Sequence, residues 1–417
     1  MQLNNKSKPV RHSLTLATAT LLGSVSAPGY GAASNDWEID SSVLYYAEDG
    51  RVSAIEPVVR ARKTIGDDEF LTFRLVVDSL TGSSANGAIA TTAAQTFTKP
   101  SGDATYTTAA NTTPLDPSFH DTRVAVNGEW EKPLQDNLKG IFGANLSKEY
   151  DYTSLGASAT LAWDFNSRNT TFTTGLSLNL DTVKPVGGIP DGLTAMPTTT
   201  TFTKASVGDS DNKTVVDVLL GITQVIGRKT LMQFNYTYGQ DDGYLTDPYK
   251  ILSVVTDAGT ATLAATPYLY EQRPDSRVRN AFYWKTVHQF EQDVVNFSYR
   301  YYWDDWGITS HTFDARYRYE LGGGHYLMPH ARYYLQDKAD FYHYKLVDGD
   351  IPRYASADYR LGDLSTTTLG LKYGVELSEN SEFSVRAEIM KQQSRGSGAT
   401  FPDVDAMILQ ANYSFLF

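Results

Sequence analysis

Along most of the chain apolar and polar residues alternate one by one, in blocks of about ten that end in clusters of turn-forming residues. Between Asp405 and Phe417, for instance, Met407, Leu409, Ala411, Tyr413, Phe415 and Phe417 alternate with Ala406, Ile408, Gln410, Asn412, Ser414 and Leu416. Phe172, Thr174, Leu176, Leu178 and Leu180 oppose Thr171, Thr173, Gly175, Ser177 and Asn179 in the same way. Successive side chains of a strand point to opposite faces, so each block has one apolar and one polar face. The rhythm predicts strands over Trp37–Glu48, Val52–Ile65, Phe70–Leu80, Asp121–Glu131, Leu138–Tyr150, Tyr152–Phe165, Thr170–Asp181 and Thr214–Ile226. It continues over Thr230–Gln240, Arg277–Phe290, Val294–Trp303, Thr309–Glu320, Tyr326–Gln336, Leu361–Gly374, Glu382–Gln392 and Val404–Phe417.

Loop lengths test this count of about sixteen. Even-numbered connections are short, while the four long ones, Thr81–His120, Thr182–Lys213, Asp241–Ser276 and Asp337–Arg360, are all odd-numbered. Long loops on one side and short turns on the other suit a transmembrane antiparallel up-and-down β-barrel, with short periplasmic turns and long extracellular loops. A hairpin missed or added preserves the parity, so fourteen and eighteen strands stay open. The runner-up fold, a soluble β-sandwich, leaves the apolar aromatic faces on nearly every strand unexplained. The closing strand, with Tyr413, Phe415 and a terminal Phe417, resembles the signal by which bacterial outer-membrane barrels are read by their assembly machinery. That resemblance implies the outer membrane as location, with its lipid and lipopolysaccharide as surroundings.

Composition agrees. Aromatics make up 12% of the chain, and 27 tyrosines outnumber 18 phenylalanines, as suits side chains at a bilayer interface. With no cysteine, disulfides, thiolate metal sites and Cys-x-x-Cys-His haem attachment are excluded. The net charge of -12 argues against a nucleic-acid partner. At the N-terminus Lys6, Lys8 and Arg11 precede the apolar run Leu14–Val25 and the small residues Gly31, Ala32 and Ala33, which reads as a signal peptide over residues 1–33. Ala27 is the other candidate cleavage site. Residues 34–417 then form a single barrel domain.

The polar register places charges of both signs inside: Arg60, Arg62, Arg74, Asp78, Arg123, Glu129, Arg300, Asp314, Arg316, Arg318, Arg332, Arg386 and Glu388, joined by Glu56, Lys148, Asp217 and Glu320. Unpaired buried charge is costly, so these groups either pair across the wall or face water. A second set gathers at the extracellular mouth: Lys148, Glu149, Asp151, Asp242, Asp247, Arg273, Asp275, Arg277, Asp304, Asp305, His311, Asp358 and Arg360.

Several mouth segments carry a family resemblance. Ser147 to Tyr152 (SKEYDY), Asp242 to Lys250 (DGYLTDPYK), Arg273 to Arg277 (RPDSR), Asp304 to Gly307 (DDWG) with Ser310-His311-Thr312, and Tyr354 to Arg360 (YASADYR) resemble the bacterial family filed as domain of unknown function 3570. The resemblance implies an outer-membrane barrel without assigned activity. It also implies a gene neighbourhood with a small lipoprotein, a thioredoxin-like protein and a flavin transferase, hence a part in an envelope redox or export system.

Three functions compete on the residues alone. The leading expectation is a channel or transport component for small polar solutes, in which removing Arg316 and Arg318 changes ion selectivity. The second is a closed barrel that acts as a scaffold or binds a partner such as a lipoprotein. In that reading the loop Asp241–Ser276, with Pro248, Pro267, Pro274 and four tyrosines, forms an ordered cap. The third, an enzyme using Asp304, Asp305 and His311, lacks the surrounding motifs, so no enzymatic activity is expected. No metal or cofactor is expected either, since the seven histidines form no close ligand pair at helical spacing.

Overall fold

Strands dominate because the alternation leaves each segment one face for lipid and one for its own interior. The computed structural model describes residues 37–99, 104–199, 204–396 and 401–417. The expected signal peptide lies outside them. In chain order the strands are β1 (Trp37–Glu48), β2 (Val52–Gly66), β3 (Glu69–Ala85), β4 (Gln95–Thr98), β5 (Thr105–Thr108), β6 (Leu115–Gln135), β7 (Leu138–Lys148) and β8 (Tyr152–Phe165). Next come β9 (Thr170–Val183), β10 (Ile189–Pro190), β11 (Ser206–Gly208), β12 (Asp211–Gly227), β13 (Thr230–Gly243), β14 (Ile251–Val255), β15 (Leu263–Tyr270) and β16 (Ser276–Gln289). The chain ends with β17 (Val294–Asp304), β18 (Thr309–Gly322), β19 (His325–Gln336), β20 (Leu346–Val347), β21 (Leu364–Ser378), β22 (Ser381–Ser394) and β23 (Val404–Leu416).

Sixteen of these close into one antiparallel barrel, in the order β1, β2, β3, β6, β7, β8, β9, β12, β13, β16, β17, β18, β19, β21, β22, β23. Each meets its sequence neighbour in the barrel, and β23 returns to β1 from Glu38 opposite Leu416 to Glu48 opposite Ala406. The Trp37 amide donates to the Phe417 carbonyl at 2.7 Å and the Phe417 amide to that of Trp37 at 3.0 Å. Closure leaves no edge, which is what a sheet surrounded by lipid requires. Phe73, Leu155, Leu176, Leu180 and Ile389 are more than half exposed on the outer face, as lipid-facing side chains should be. Tyr413, Phe415 and Phe417 form an outward stack with ring centroids 5.5 Å apart.

The short turns at one end are two to four residues long. Gly323 and Gly324, with Gly322 before them, all take positive φ, a run that only glycine tolerates without strain. At the other end the strands outrun their sequence pattern. β3 extends to Ala85 and β6 starts at Leu115, inside the stretch read as a loop. Beyond the bilayer no lipid rewards an apolar register, so small polar residues continue the ladder without alternating. Conversely, Tyr150 lies in a turn, and Tyr359–Leu361 is a 3-10 turn capped by Asp358 rather than the start of a strand.

The packed apolar core lies mostly outside the barrel, in a cap over the long-loop end. There β14 and β15 form a hairpin and β20 adds in parallel to β14. Leu252, Val254, Leu269, Leu346, Ala355 and Ala357 pack as one buried cluster, and Phe97, Met196, Ile251, Tyr268 and Tyr270 belong to a second. The described parts of the loops between β3 and β6, β9 and β12, β13 and β16, and β19 and β21 therefore pack together as one cap on the barrel.

Inside the barrel, Tyr326 is fully buried with its ring against Gly374. Its hydroxyl donates to Glu382 Oε1 at 2.5 Å, and the Arg318 guanidinium sits 3.6 Å from the ring centroid. A Cβ at position 374 would collide with that ring. Gly374→Ala is expected to destabilise the barrel by about 1–3 kcal/mol, read as a lower urea concentration for loss of heat-shifted gel mobility, with the fold unchanged in its absence.

Candidate functional site

Strand alternation and closure together create an interior of about 3760 Å³. It runs from the short turns at Asp67–Asp68, Asp136–Asn137 and Glu379–Asn380 to the underside of the cap at Asp247–Lys250, Arg273 and Asp358–Arg360. Arg60, Arg62, Arg74, Asp78, Arg123, Glu129, Arg300, Asp314, Arg316, Arg318, Arg332, Arg386 and Glu388 all line it, as do Glu56 and Glu320. Asp217 lies on the inward register of β12 and is fully buried.

Neighbouring strands are about 4.8 Å apart, so long side chains reach carboxylates on the next strand or the one after. Arg60 donates to Asp40 at 2.7 Å and to Glu38 at 3.3 Å. Glu131 receives Arg62 at 3.1 Å and Lys139 at 2.5 Å. Arg123 pairs with Asp78 and Arg318 with Glu320. Arg74 lies in the field of Glu56 and Asp78, and Glu129 in that of Arg60 and Arg62. His330 bridges Asp314 at 2.9 Å and Glu388 at 2.7 Å, while Arg316 and Arg386 approach the same two carboxylates at 3.4 and 3.2 Å. Sequence reasoning missed Arg279, which joins Asp217 at 3.1 Å and Asp241 at 2.6 Å, and Lys285, which the alternation of β16 marks as inward-facing.

The expected mouth cluster divides. Asp247, Arg273, Asp358 and Arg360 come together in the cap. Asp151 accepts from the Tyr249 hydroxyl at 2.5 Å, Arg277 pairs with Asp304 at 2.5 Å, and Glu149 and Asp275 lie at the rim. Lys148, cross-strand partner to Val124 at the end of β7, lies at the rim and borders the upper interior. Two residues depart from the expectation. His311 lies on the outer face of β18, its ring against Tyr299 and Tyr301. Asp242 follows the inward Asp241 and is likewise on the outer register, bonded to Gln240 at 2.8 Å. Asp304 is held by Arg277, Tyr302 and the amides of Trp306 and Ile308, and Asp305 by the Val278 amide, so the Asp-His set is not assembled.

The cap is locked by a buried charge network. Arg360 holds Asp358 through two nitrogens and Asp247 at 3.1 Å. Arg273 holds Asp358 at 2.9 Å and Glu271 at 2.6 Å. Ser356 donates to Glu271 at 2.5 Å, the Asp247 amide to the same carboxylate at 2.7 Å, and Lys250 to the Ala85 carbonyl on the rim. Lys250 and Ser356 lie within mouth segments that the sequence singles out and Glu271 in none of them, and only the fold brings loops 244–275 and 337–363 together. Burial pushes Asp247 up, but Lys250, Arg360 and Arg273 outweigh it and hold it at about 2. Burial acts likewise on Asp358, and Arg360 and Arg273 still hold it well below the carboxylate range. Burial raises Glu271 against the opposing Arg273.

These two loops also fasten to the other six connections at the same end. Arg51 stacks over Tyr359, the Ile251 amide bonds Asn86, Tyr249 bonds Asp151, and the Met196 amide bonds Tyr268. The Asp340 amide bonds Trp306, and Arg395 reaches Asp337. Among the described residues no group of three His, Cys, Asp or Glu is placed to hold a metal ion.

Removing one member of a buried ionic network typically costs about 3–5 kcal/mol, so Arg360→Gln is expected to loosen the cap while the barrel keeps its heat-shifted mobility. Protease cleavage within 251–270 reads the loss. Because Asp247 and Asp358 are more acidic in the folded cap than in the unfolded chain, their contribution is fully present above about pH 4 and disappears at lower pH. Pepsin cleavage of the wild-type cap should therefore begin only below about pH 4.

No curated protein matches the chain. Among solved structures, it is similar to the siderophore receptor PirA from Acinetobacter baumannii, at 9% identity and a TM-score of 0.42, covering 88% of this chain and 54% of that one. The chain thus spans about half the length of that receptor. It is also similar to a bacterial polysaccharide outer membrane secretin, at 9% identity and a TM-score of 0.45 over 93% and 100% of the two chains. With OccK3 (OpdO) of Pseudomonas aeruginosa it shares 11% identity and a TM-score of 0.41 over 92% and 96%. The sequence matches the family described as protein of unknown function (DUF3570) over residues 11–415, and so nearly from end to end the chain belongs to that family of β-barrel proteins.

Proposed function

We propose that this protein is a transport component of the bacterial outer membrane, carrying small polar solutes through a wet, charged lumen that the cap closes in the state described. The interior of about 3760 Å³, lined by charges of both signs and reaching from the short turns to the cap, carries this reading. The ion pairs run along the wall between neighbouring or next-neighbouring strands and leave the space between the walls open, and most of the apolar packing lies in the cap. In this reading the short turns are periplasmic and the cap faces outward. Tyr413, Phe415 and Phe417 would present the closing strand to the assembly machinery, and the apolar belt would meet lipid and lipopolysaccharide.

The cap also favours a second reading, a closed barrel that serves as a scaffold or engages a small lipoprotein in an envelope system, because its loops bind all the other connections at that end. Planar-bilayer conductance separates the two. Replacing residues 246–272 by a short Gly-Ser linker is expected to turn rare or small openings of the wild-type protein into sustained steps. If the variant shows folded, heat-shifted mobility and still conducts nothing, transport through the lumen is ruled out and the scaffold reading stands.

A further inference from the structure

We infer that the lumen wall formed by β16 to β19 is a binding site for a small solute carrying two or more carboxylate or phosphate groups. The inference rests on the reading of the lumen as a solute path. Strand register builds the wall in rows. Tyr283, Arg300, Thr312 and Tyr334 lie side by side, and the next row is Lys285, Ser298, Asp314 and Arg332. Arg316 stands one step further down β18, beside His330.

Four cations thus face the lumen around a single carboxylate. Asp314 is already engaged, by His330 at 2.9 Å and Arg316 at 3.4 Å. Arg300 has a ring beside it, that of Tyr302 at 5.4 Å, and among the described residues no carboxylate within ion-pair distance. Arg332 likewise has neither an ion pair nor a hydrogen bond there, and lies in the field of Asp314 opposite it and of Arg300, which repels it. Lys285 is nine-tenths buried at 9% exposure, lines the cavity, and has no hydrogen bond or ion pair among the described residues. On the opposite wall, by contrast, Arg60, Arg62, Arg123 and Lys139 each hold a carboxylate.

Lys285, Arg300 and Arg332 make no ion pair among the described residues, and the one carboxylate in whose field Lys285 and Arg332 lie, Asp314, is already engaged by His330 and Arg316, so this wall carries a net positive potential. Guanidinium groups offer forked donors that match carboxylate and phosphate oxygens, and an ammonium adds a point charge between them. Such groups select multivalent anions over neutral or cationic solutes. A single carboxylate can bridge two cations, as Glu131 bridges Arg62 and Lys139, and leaves the third unmet. Arg300 and Arg332 stand two strands apart and Lys285 and Arg332 three, about 14 Å at a spacing of about 4.8 Å, so their long side chains have to lean together for two or three acidic groups on one small molecule to meet them.

Titration calorimetry of citrate, and separately of pyrophosphate, into the purified barrel at low ionic strength tests the site. Saturable heat is expected with at least one of them and not with glucose, and the stronger of the two identifies the acid group preferred. Arg300→Gln with Arg332→Gln should weaken binding at least tenfold while heat-shifted mobility is kept. Arg300→Lys with Arg332→Lys, which keeps charge but loses the fork, should bind at an intermediate level. No saturable heat with either anion, or affinity unchanged in the folded glutamine variant, overturns the proposal. A barrel that binds citrate yet stays silent in bilayers without its cap would sink the transport reading alone. One that conducts but binds neither anion would sink this site alone.

Discussion

Everything in this molecule depends on the pairing of its first and last strands. A sheet surrounded by lipid cannot leave backbone amides and carbonyls unpaired, because each would cost several kcal/mol. The ladder between β1 and β23, ended by the reciprocal bonds of Trp37 and Phe417, removes the last edge. Once the edge is gone, alternation does the rest: every second residue must suit hydrocarbon and the others are free to be polar. The charged interior is therefore permitted by closure, and the ion pairs along the wall follow from the spacing of the closed ladder.

The two halves of the structure obey opposite packing rules. The barrel is apolar outside and polar within, whereas the cap is built like a water-soluble domain, with Leu252, Val254, Leu269 and Leu346 buried at its centre. Its lock is ionic, and every carboxylate of that lock is satisfied by an arginine, a serine or a backbone amide. Such a network is strong only while complete. That makes the cap firm in its closed arrangement and sensitive to the loss of any one partner.

How legible this was in the sequence follows the same division. Where lipid enforces a period of two, strands such as Thr170–Val183 and Val404–Leu416 could be read almost to the residue, and the inward charges with them. Above the lipid that signal stops, so the residues by which β3 extends to Ala85 carry the composition of a loop. His311 and Asp242 were grouped with the mouth by their position along the chain, although alternation turns both outward. The cap's partners were invisible for a different reason. Glu271 and Ser356 are 85 positions apart and meet only in three dimensions. Tyrosines and prolines in loop 244–275 hinted at order, but nothing in one loop reveals the loop it will bind.

The origin of the cap in four separate loops has a bearing on how the chain matures. β14 lies beside β20 and the Asn86 segment, and Tyr268 beside Met196, across sequence gaps that only the finished barrel spans. Contacts of such high sequence separation form late, because the entropy of closing those loops must first be met by the strands beneath. A partly wound sheet thus holds the loops too far apart to join. The cap is in effect a certificate of completed closure, and a lumen is covered only after the wall around it is whole.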